Sequence, residues 1–407
     1  MNNSEEIIPR PIYLNHILEI LDKGMMLVLV GQRRVGKSFI LLQLEKELNA
    51  RNSDINVIYI NKELTRFNPI ANSDQLYEYV DDKLRSDTQN YLLIDEIQDI
   101  VDFQLALRSL HAERKCQIVV TGSNAHIFSS ELSTLIGGRY IEIPVYSLSY
   151  NEFLLFHNLE NSDASLEKYL SVGGLPGLTL FDINNERQVN DYLQGVFSTI
   201  IIKDIISRES IRNVTFLENL ITFMAENIGK LFSTKKVTNT MNSYGNKISD
   251  MLTANYIRFI RNALLMSNVS RFDIQGKKIF EQIHKYYFTD HGLRNLLTSF
   301  SIRGSIEKLM ENVIYNHLLI HGYKVYVGNL KTVEIDFIAV KGDTKIYIQS
   351  SYILSSQETI DREFGNLALI KDNYPKMVIS MDPVAGGSPE YPGIIHQRLR
   401  DFLTSFV

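Results

Sequence analysis

Short unbroken apolar runs alternate along the chain with stretches whose apolar positions recur every three to four residues. The first run, MMLVLV at 25–30, predicts a strand buried on both faces, and Lys37–Leu48, with Phe39, Ile40, Leu42 and Leu44, suits a helix. INVIYI at 55–60, YLLID at 91–95, QIVVTG at 117–122 and RYIEIPV at 139–145 repeat the strand signal. Gln75–Leu84 and Phe103–His111 repeat the helical one. Continuous apolar strands separated by helices predict a parallel sheet covered on both faces, an α/β domain over residues 1–155.

The pattern then changes. Tyr169, Leu170, Leu193, Val196 and Ile200–Ile202 are spaced for helices, and Gly173-Gly174-Leu175-Pro176-Gly177 breaks them. Leu217–Ile228, Thr234–Met241 and Ser243–Ile260 predict three short helices. A two-stranded ribbon follows around Leu264–Phe272 and Lys277–Phe280, turning at Asp273–Gly276. Three helices and a ribbon follow the winged-helix order, so residues 156–287 are expected to be a helical, winged-helix-like domain. A helix at Ile306–His321, the strand-like KVYVG, EIDFIAV and KIYIQSSY, a further helix and KMVISM predict a second α/β domain over 288–407.

Composition narrows the class. A hydrophobic share of 44% and a charged share of 22% exclude a disordered or fibrous chain. The lone Cys116 excludes a disulfide framework and a cysteine-rich zinc site, and the nine histidines add no mixed Cys/His zinc spacing. The start MNNSEEIIPR lacks a basic region followed by an apolar run, and no apolar run approaches the roughly 20 residues of a membrane span. A cytoplasmic protein without a membrane segment is therefore expected. The net charge of −5 hides an asymmetry: Lys203–Lys285 carries 13 basic against 7 acidic residues, which marks that segment as a candidate surface for a polyanion such as DNA.

The strongest chemical signal is Gly31-Gln32-Arg33-Arg34-Val35-Gly36-Lys37-Ser38, which matches G-x-x-x-x-G-K-[ST] between a predicted strand and a predicted helix. Gly31 and Gly36 let successive N–H groups turn inward toward phosphate oxygens, and the helix N-terminus adds partial positive charge. Lys37 would reach the β- and γ-phosphates of ATP, and the Ser38 hydroxyl would ligate Mg²⁺. Tyr91-Leu92-Leu93-Ile94-Asp95-Glu96 supplies the carboxylates: Asp95 as the second metal-side group, Glu96 as the general base that activates water.

With GQRRVGKS and LLIDEIQ stand VVTGSN, GGRY followed by IPVYSLSYNEF, GGLPG, KYYFTDHGLRN and EIDF. Together they resemble an AAA-type P-loop ATPase of the bacterial and archaeal group whose C-terminal half is a domain of unknown function. The resemblance implies a polar γ-phosphate sensor at Ser123 or Asn124. It also implies that Arg139 is an arginine finger acting on a neighbouring subunit's nucleotide, and hence a homo-oligomer. A surface or strand-capping arginine is the alternative for Arg139.

Two further regions carry candidate chemistry. Ser243–Arg261 is the expected recognition helix, with Lys247, Arg258 and Arg261 facing DNA phosphates and Arg271, Lys277 and Lys278 on the wing. Winged helices also dock proteins, so a protein partner of unknown identity is the competing expectation. In the last domain Glu311 on a helix, Asp336 in EIDF and Gln349 on the next strand resemble the order of restriction-endonuclease-like folds, which gather a divalent metal at the scissile phosphate. Ser351 stands where that pattern has lysine, Gln349 is neutral, and Lys345 lies on the wrong side of the motif, so nuclease activity is not expected. The expected activity is a nucleotide-driven switch powered by ATP hydrolysis. The alternative is a nucleic-acid-binding or nuclease-like effector in which ATP binding controls assembly.

Overall fold

A computed structural model describes residues 7–51, 54–125, 137–245, 247–298, 302–331, 333–383 and 386–406. The chain forms two compact units, one from Met1–Val145 with Asn262–Leu264, the other from Tyr146–Arg261 and Leu265–Val407. One boundary falls at Val145, and the second unit runs on through residue 287.

The first unit holds β1 (Met26–Val30), β2 (Ile55–Asn61), β3 (Gln89–Asp95), β4 (Gln117–Gly122) and β5 (Tyr140–Pro144) in one sheet of order β2-β3-β4-β1-β5. Every pairing is parallel. All of β1 is buried, which is why it reads as a continuous apolar run. Helices Lys37–Arg51, Ser73–Lys83 and Phe103–Ala112 connect the strands. Val28, Ile58, Ile94 and Val120 pack with Leu76, Val80, Leu107 and Leu110 in a core where each buried aliphatic side chain contributes about 1.5–3 kcal/mol. A helix at Pro11–Ile20 adds to the expected elements; it buries only Tyr13 and Ile17, too few positions to show as a periodic pattern.

The second unit is helical up to Arg261 and from Leu265 combines one seven-stranded sheet with further helices. Its strands are β6 (Met266–Asp273), β7 (Lys278–Phe288), β8 (Lys324–Leu330), β9 (Val333–Lys341), β10 (Thr344–Ser351), β11 (Lys376–Ser380) and β12 (Ile394–Arg398), in the order β12-β11-β10-β9-β8-β6-β7. The expected ribbon exists as the β6–β7 hairpin, but β6 also pairs in parallel with β8 across Arg271–Asp273. The ribbon thus extends the C-terminal sheet, and residues 156–287 and 288–407 share one unit. The helix expected from Ser243 starts at Asp250. Asn242 explains the delay: its side chain accepts from Ile248 N at 2.9 Å and donates to Ile248 O at 2.9 Å, closing a loop in place of a helical turn.

Two of the quoted motifs have a structural role. Asp290 of KYYFTDHGLRN accepts from Gly174 N of GGLPG at 2.9 Å through one oxygen. With the other it caps helix His291–Leu297, accepting from Gly292 N at 2.9 Å. Among the described residues no helix is long and apolar enough to cross a membrane.

Candidate functional site

The loop after β1 is built by close backbone approach. A Cβ on Gly31 would meet Val145 O at 2.2 Å, and Gly36 takes a φ of 98° that side chains avoid. Lys37, 4% exposed, folds back along this loop and donates to Gly31 O at 2.9 Å and Gln32 O at 3.1 Å. Its Nζ stands 4.0 Å from Glu96 Oε1. Ser38 hydrogen-bonds Asp95. Parallel pairing of β1, β3 and β4 puts the ends of all three strands, and so Gly31–Ser38, Asp95, Glu96 and Ser123, at one edge of the sheet.

Asp95 is fully buried. Its Oδ1 accepts from Thr121 Oγ1 at 2.7 Å, and the same hydroxyl accepts from Glu96 N at 2.9 Å. Burial raises the Asp95 pKa against the pull of Thr121, Ser38 and Lys37, with Glu96 adding to the rise. Glu96 adopts the left-handed region, φ 56° and ψ 53°, and accepts through Oε2 from Ser123 Oγ at 3.2 Å and from Gln98 Nε2. Burial opposes its charge, but Lys37, Arg33, Gln98 and Ser123 together outweigh burial and hold its pKa below the ordinary value. Glu96 is thus a carboxylate at neutral pH, able to accept a proton.

The structure brings most of the expected residues together and sets others apart. Gln32, Val35, Ser123 and Asn124 are buried; Arg33 is half-buried with its charge felt at Glu96; Arg34 is exposed. Arg139 sits at the opposite sheet edge, where its carbonyl accepts from Met26 N at the start of β1. Five strand residues at about 3.3 Å each put roughly 17 Å between that edge and the loop. Its side chain borders a cavity of about 750 Å³ together with Lys23, His111 and Arg114.

Two residues outside the expected set complete the site, Thr121 of the VVTGSN segment and Arg10. Thr121 joins Asp95 to Glu96, and its signal was a lone hydroxyl ending a buried apolar strand. Arg10, 2% exposed, donates to Val35 O at 2.8 Å and braces the loop from the N-terminal segment. Mg²⁺ fits the residues present: Asp95 Oδ2 is buried without a hydrogen-bond partner among the described residues, beside the Ser38 hydroxyl. His317 on helix Ile302–Ile320 and His321 just past its end stand four residues apart. His317 Nε2, however, lies 2.9 Å from Phe406 O, and among the described residues no three His, Cys, Asp or Glu side chains form a metal-ready group.

In the second unit, Lys247, Arg258, Arg261, Lys277 and Lys278 are exposed, Lys247 on the loop before helix Asp250–Asn262 and not on it. Arg271 is half-buried and bonded to Asn329. Lys285, the last cation of the basic segment, points inward at 2% exposure. It reaches Glu334 Oε1 at 2.9 Å, Glu311 Oε2 at 3.2 Å and Asp336 Oδ1 at 3.6 Å. Gln349 accepts from Asp336 N at 2.7 Å and donates to Glu363 at 2.8 Å. Lys345 turns away to Asp372, 3.1 Å distant. Burial opposes the charge on Lys285, but the three carboxylates outweigh it and keep its pKa above the ordinary lysine value.

Residues 23–154 match the AAA domain family, and 163–303 match a domain of unknown function, DUF8612. An uncharacterized protein of Haemophilus influenzae is 33% identical over 383 residues, covering 93% of this chain and 94% of the relative. An uncharacterized protein of Methanocaldococcus jannaschii is 30% identical over 368 residues, covering 86% and 80%. The chain belongs to the family of these proteins. Its first unit is an AAA-type P-loop ATPase domain. The Walker-type ATPase paby2304 of Pyrococcus abyssi shares the fold, with a TM-score of 0.51 at 15% identity over 72% of this chain and 97% of that one. The DUF8612 match contains the β6–β7 hairpin and ends before β8, inside the second unit.

Proposed function

We propose that the protein is a Mg²⁺-dependent ATPase whose nucleotide state switches the second unit. One observation carries the reading: Lys37, Ser38, Asp95 and Glu96 meet at one sheet edge, with Thr121 bonded to both carboxylate residues' atoms. Lys37 exchanges its carbonyl contacts for β- and γ-phosphate oxygens, and the loop N–H groups follow. Ser38 and Asp95 would hold Mg²⁺, which supplies charge neutralisation at the phosphates when bound. Glu96 takes the proton of the attacking water and later returns it to solvent, while Ser123 and Gln98 keep its carboxylate aimed. ATP and water yield ADP and phosphate. Arg139 is one strand length from its own loop, so any role in phosphoryl transfer falls on a neighbouring copy's nucleotide in a homo-oligomer.

The test is steady-state phosphate release with Mg²⁺, with Lys37→Ala and Glu96→Gln as controls. Turnover lost in both supports the reading; ATP binding without turnover in the native chain overturns it and favours control of assembly by occupancy. A second reading concerns the partner. Lys247, Arg258, Arg261, Lys277 and Lys278 are exposed on the basic segment, which favours double-stranded DNA over a protein. Salt-sensitive stimulation of turnover by DNA is the expected result, and a rate indifferent to DNA overturns it.

A further inference from the structure

The order of elements around Glu311, Asp336 and Gln349 resembles a fold that holds a divalent metal, yet these residues as they stand do not fit one. The carboxylates of Glu311, Glu334 and Asp336 are arranged around an ammonium group, at 3.2, 2.9 and 3.6 Å. An ammonium has three N–H donors, and here three carboxylates face them. Further hydrogen bonds hold the same groups. Tyr287 OH donates to Glu311 Oε2 at 2.8 Å, Ser350 N donates to Asp336 Oδ2 at 2.9 Å, and Gln349 is bound to Asp336 N and Glu363. A divalent cation needs oxygens at about 2.0–2.6 Å, the same oxygens that now point at Nζ. It would sit almost in contact with a buried positive charge, so the two cations exclude each other.

We infer that Lys285 is the resident cation of this carboxylate site, and that removing its ammonium group opens a latent divalent-cation site at Glu311, Glu334 and Asp336. The lysine missing beyond Gln349 has a counterpart arriving from β7, and it takes the metal's place and not that of a group beside the metal. Several negative side chains with no cation among them would be a poor interior, so each arrangement needs one cation, organic or metallic. The inference does not depend on ATP turnover.

The experiment uses the full chain without nucleotide and Mn²⁺ as the probe, followed by electron paramagnetic resonance and thermal unfolding. Asp336→Asn separates this cluster from the Ser38–Asp95 loop. The native chain is expected to show no Mn²⁺ binding that Asp336→Asn abolishes. Lys285→Ala is expected to bind Mn²⁺ at least tenfold more tightly than the native chain, to regain thermal stability with it, and to lose both effects in the double variant with Asp336→Asn. Lys285→Gln, which keeps length and polarity, is the second variant should Lys285→Ala not fold. Mn²⁺ binding by the native chain that Asp336→Asn removes overturns the inference. So does a folded Lys285 variant whose Mn²⁺ binding is unchanged.

Discussion

Lys37 and Lys285 are both buried, 4% and 2% exposed, one in each unit, and they are held in opposite ways. Lys37 rests on two neutral carbonyl oxygens, with one carboxylate at 4.0 Å; Lys285 lies among three carboxylates. A phosphate can replace carbonyls without stranding a charge. It cannot replace Glu311, Glu334 and Asp336 without leaving them unpaired in a half-buried site. The lesson is that burial does not decide whether a cation is available to a ligand; the charge of its present partners does.

The largest effect should come from the chemistry beside Lys37. Glu96→Gln is expected to lower ATP turnover by about 10²–10⁴-fold while ATP is still bound, read as phosphate release against nucleotide retention. Next comes Lys285→Ala without metal, which strands three carboxylates and should cost about 3–5 kcal/mol of stability in urea unfolding. Lys37→Ala, which loses two carbonyl contacts and one carboxylate at 4.0 Å, should cost less by the same measure; equal losses for the two lysines would erase the contrast between them. Thr121→Val removes a hydroxyl that serves Asp95 and Glu96 N at once, and about 1–3 kcal/mol of stability should go with it, together with turnover.

Acid should separate the units by another route. Burial lowers the pKa of His317 to about 3 and of His157 to about 4, both in the second unit. These rings are neutral when folded and protonated when unfolded below their ordinary value near 6.5. Their contribution is therefore complete above pH 6.5 and declines as pH falls toward 3, by about 1.4 kcal/mol per pH unit for each proton taken up. Urea unfolding at stepped pH should show the second unit weakening first, and His317→Gln should flatten that slope.

The nucleotide loop, the five strands of the first unit and the Asp95–Glu96 pair were legible because each is local: a run, a turn, a strand end. Thr121 was not, since its role depends on β3 lying beside β4. Lys285 was misread for the same reason. Counted along the chain it is one more basic residue for DNA; its carboxylate partners come from a later helix and from β9, and only the sheet reveals them. Asn242 and Asp290 show the remaining gap, because a polar side chain that ends a helix or ties two loops leaves no periodic trace.

The parallel pairing of β6 with β8 also limits how the protein can be shortened. A polypeptide ending at residue 303, where the DUF8612 match ends, keeps the β6–β7 hairpin but loses β8. Arg271–Asp273 would then present open N–H and C=O groups along a strand that carries Phe272. Such an edge is a template for a stray strand of another molecule, so the shortened protein should aggregate beyond any assembly that the full chain forms.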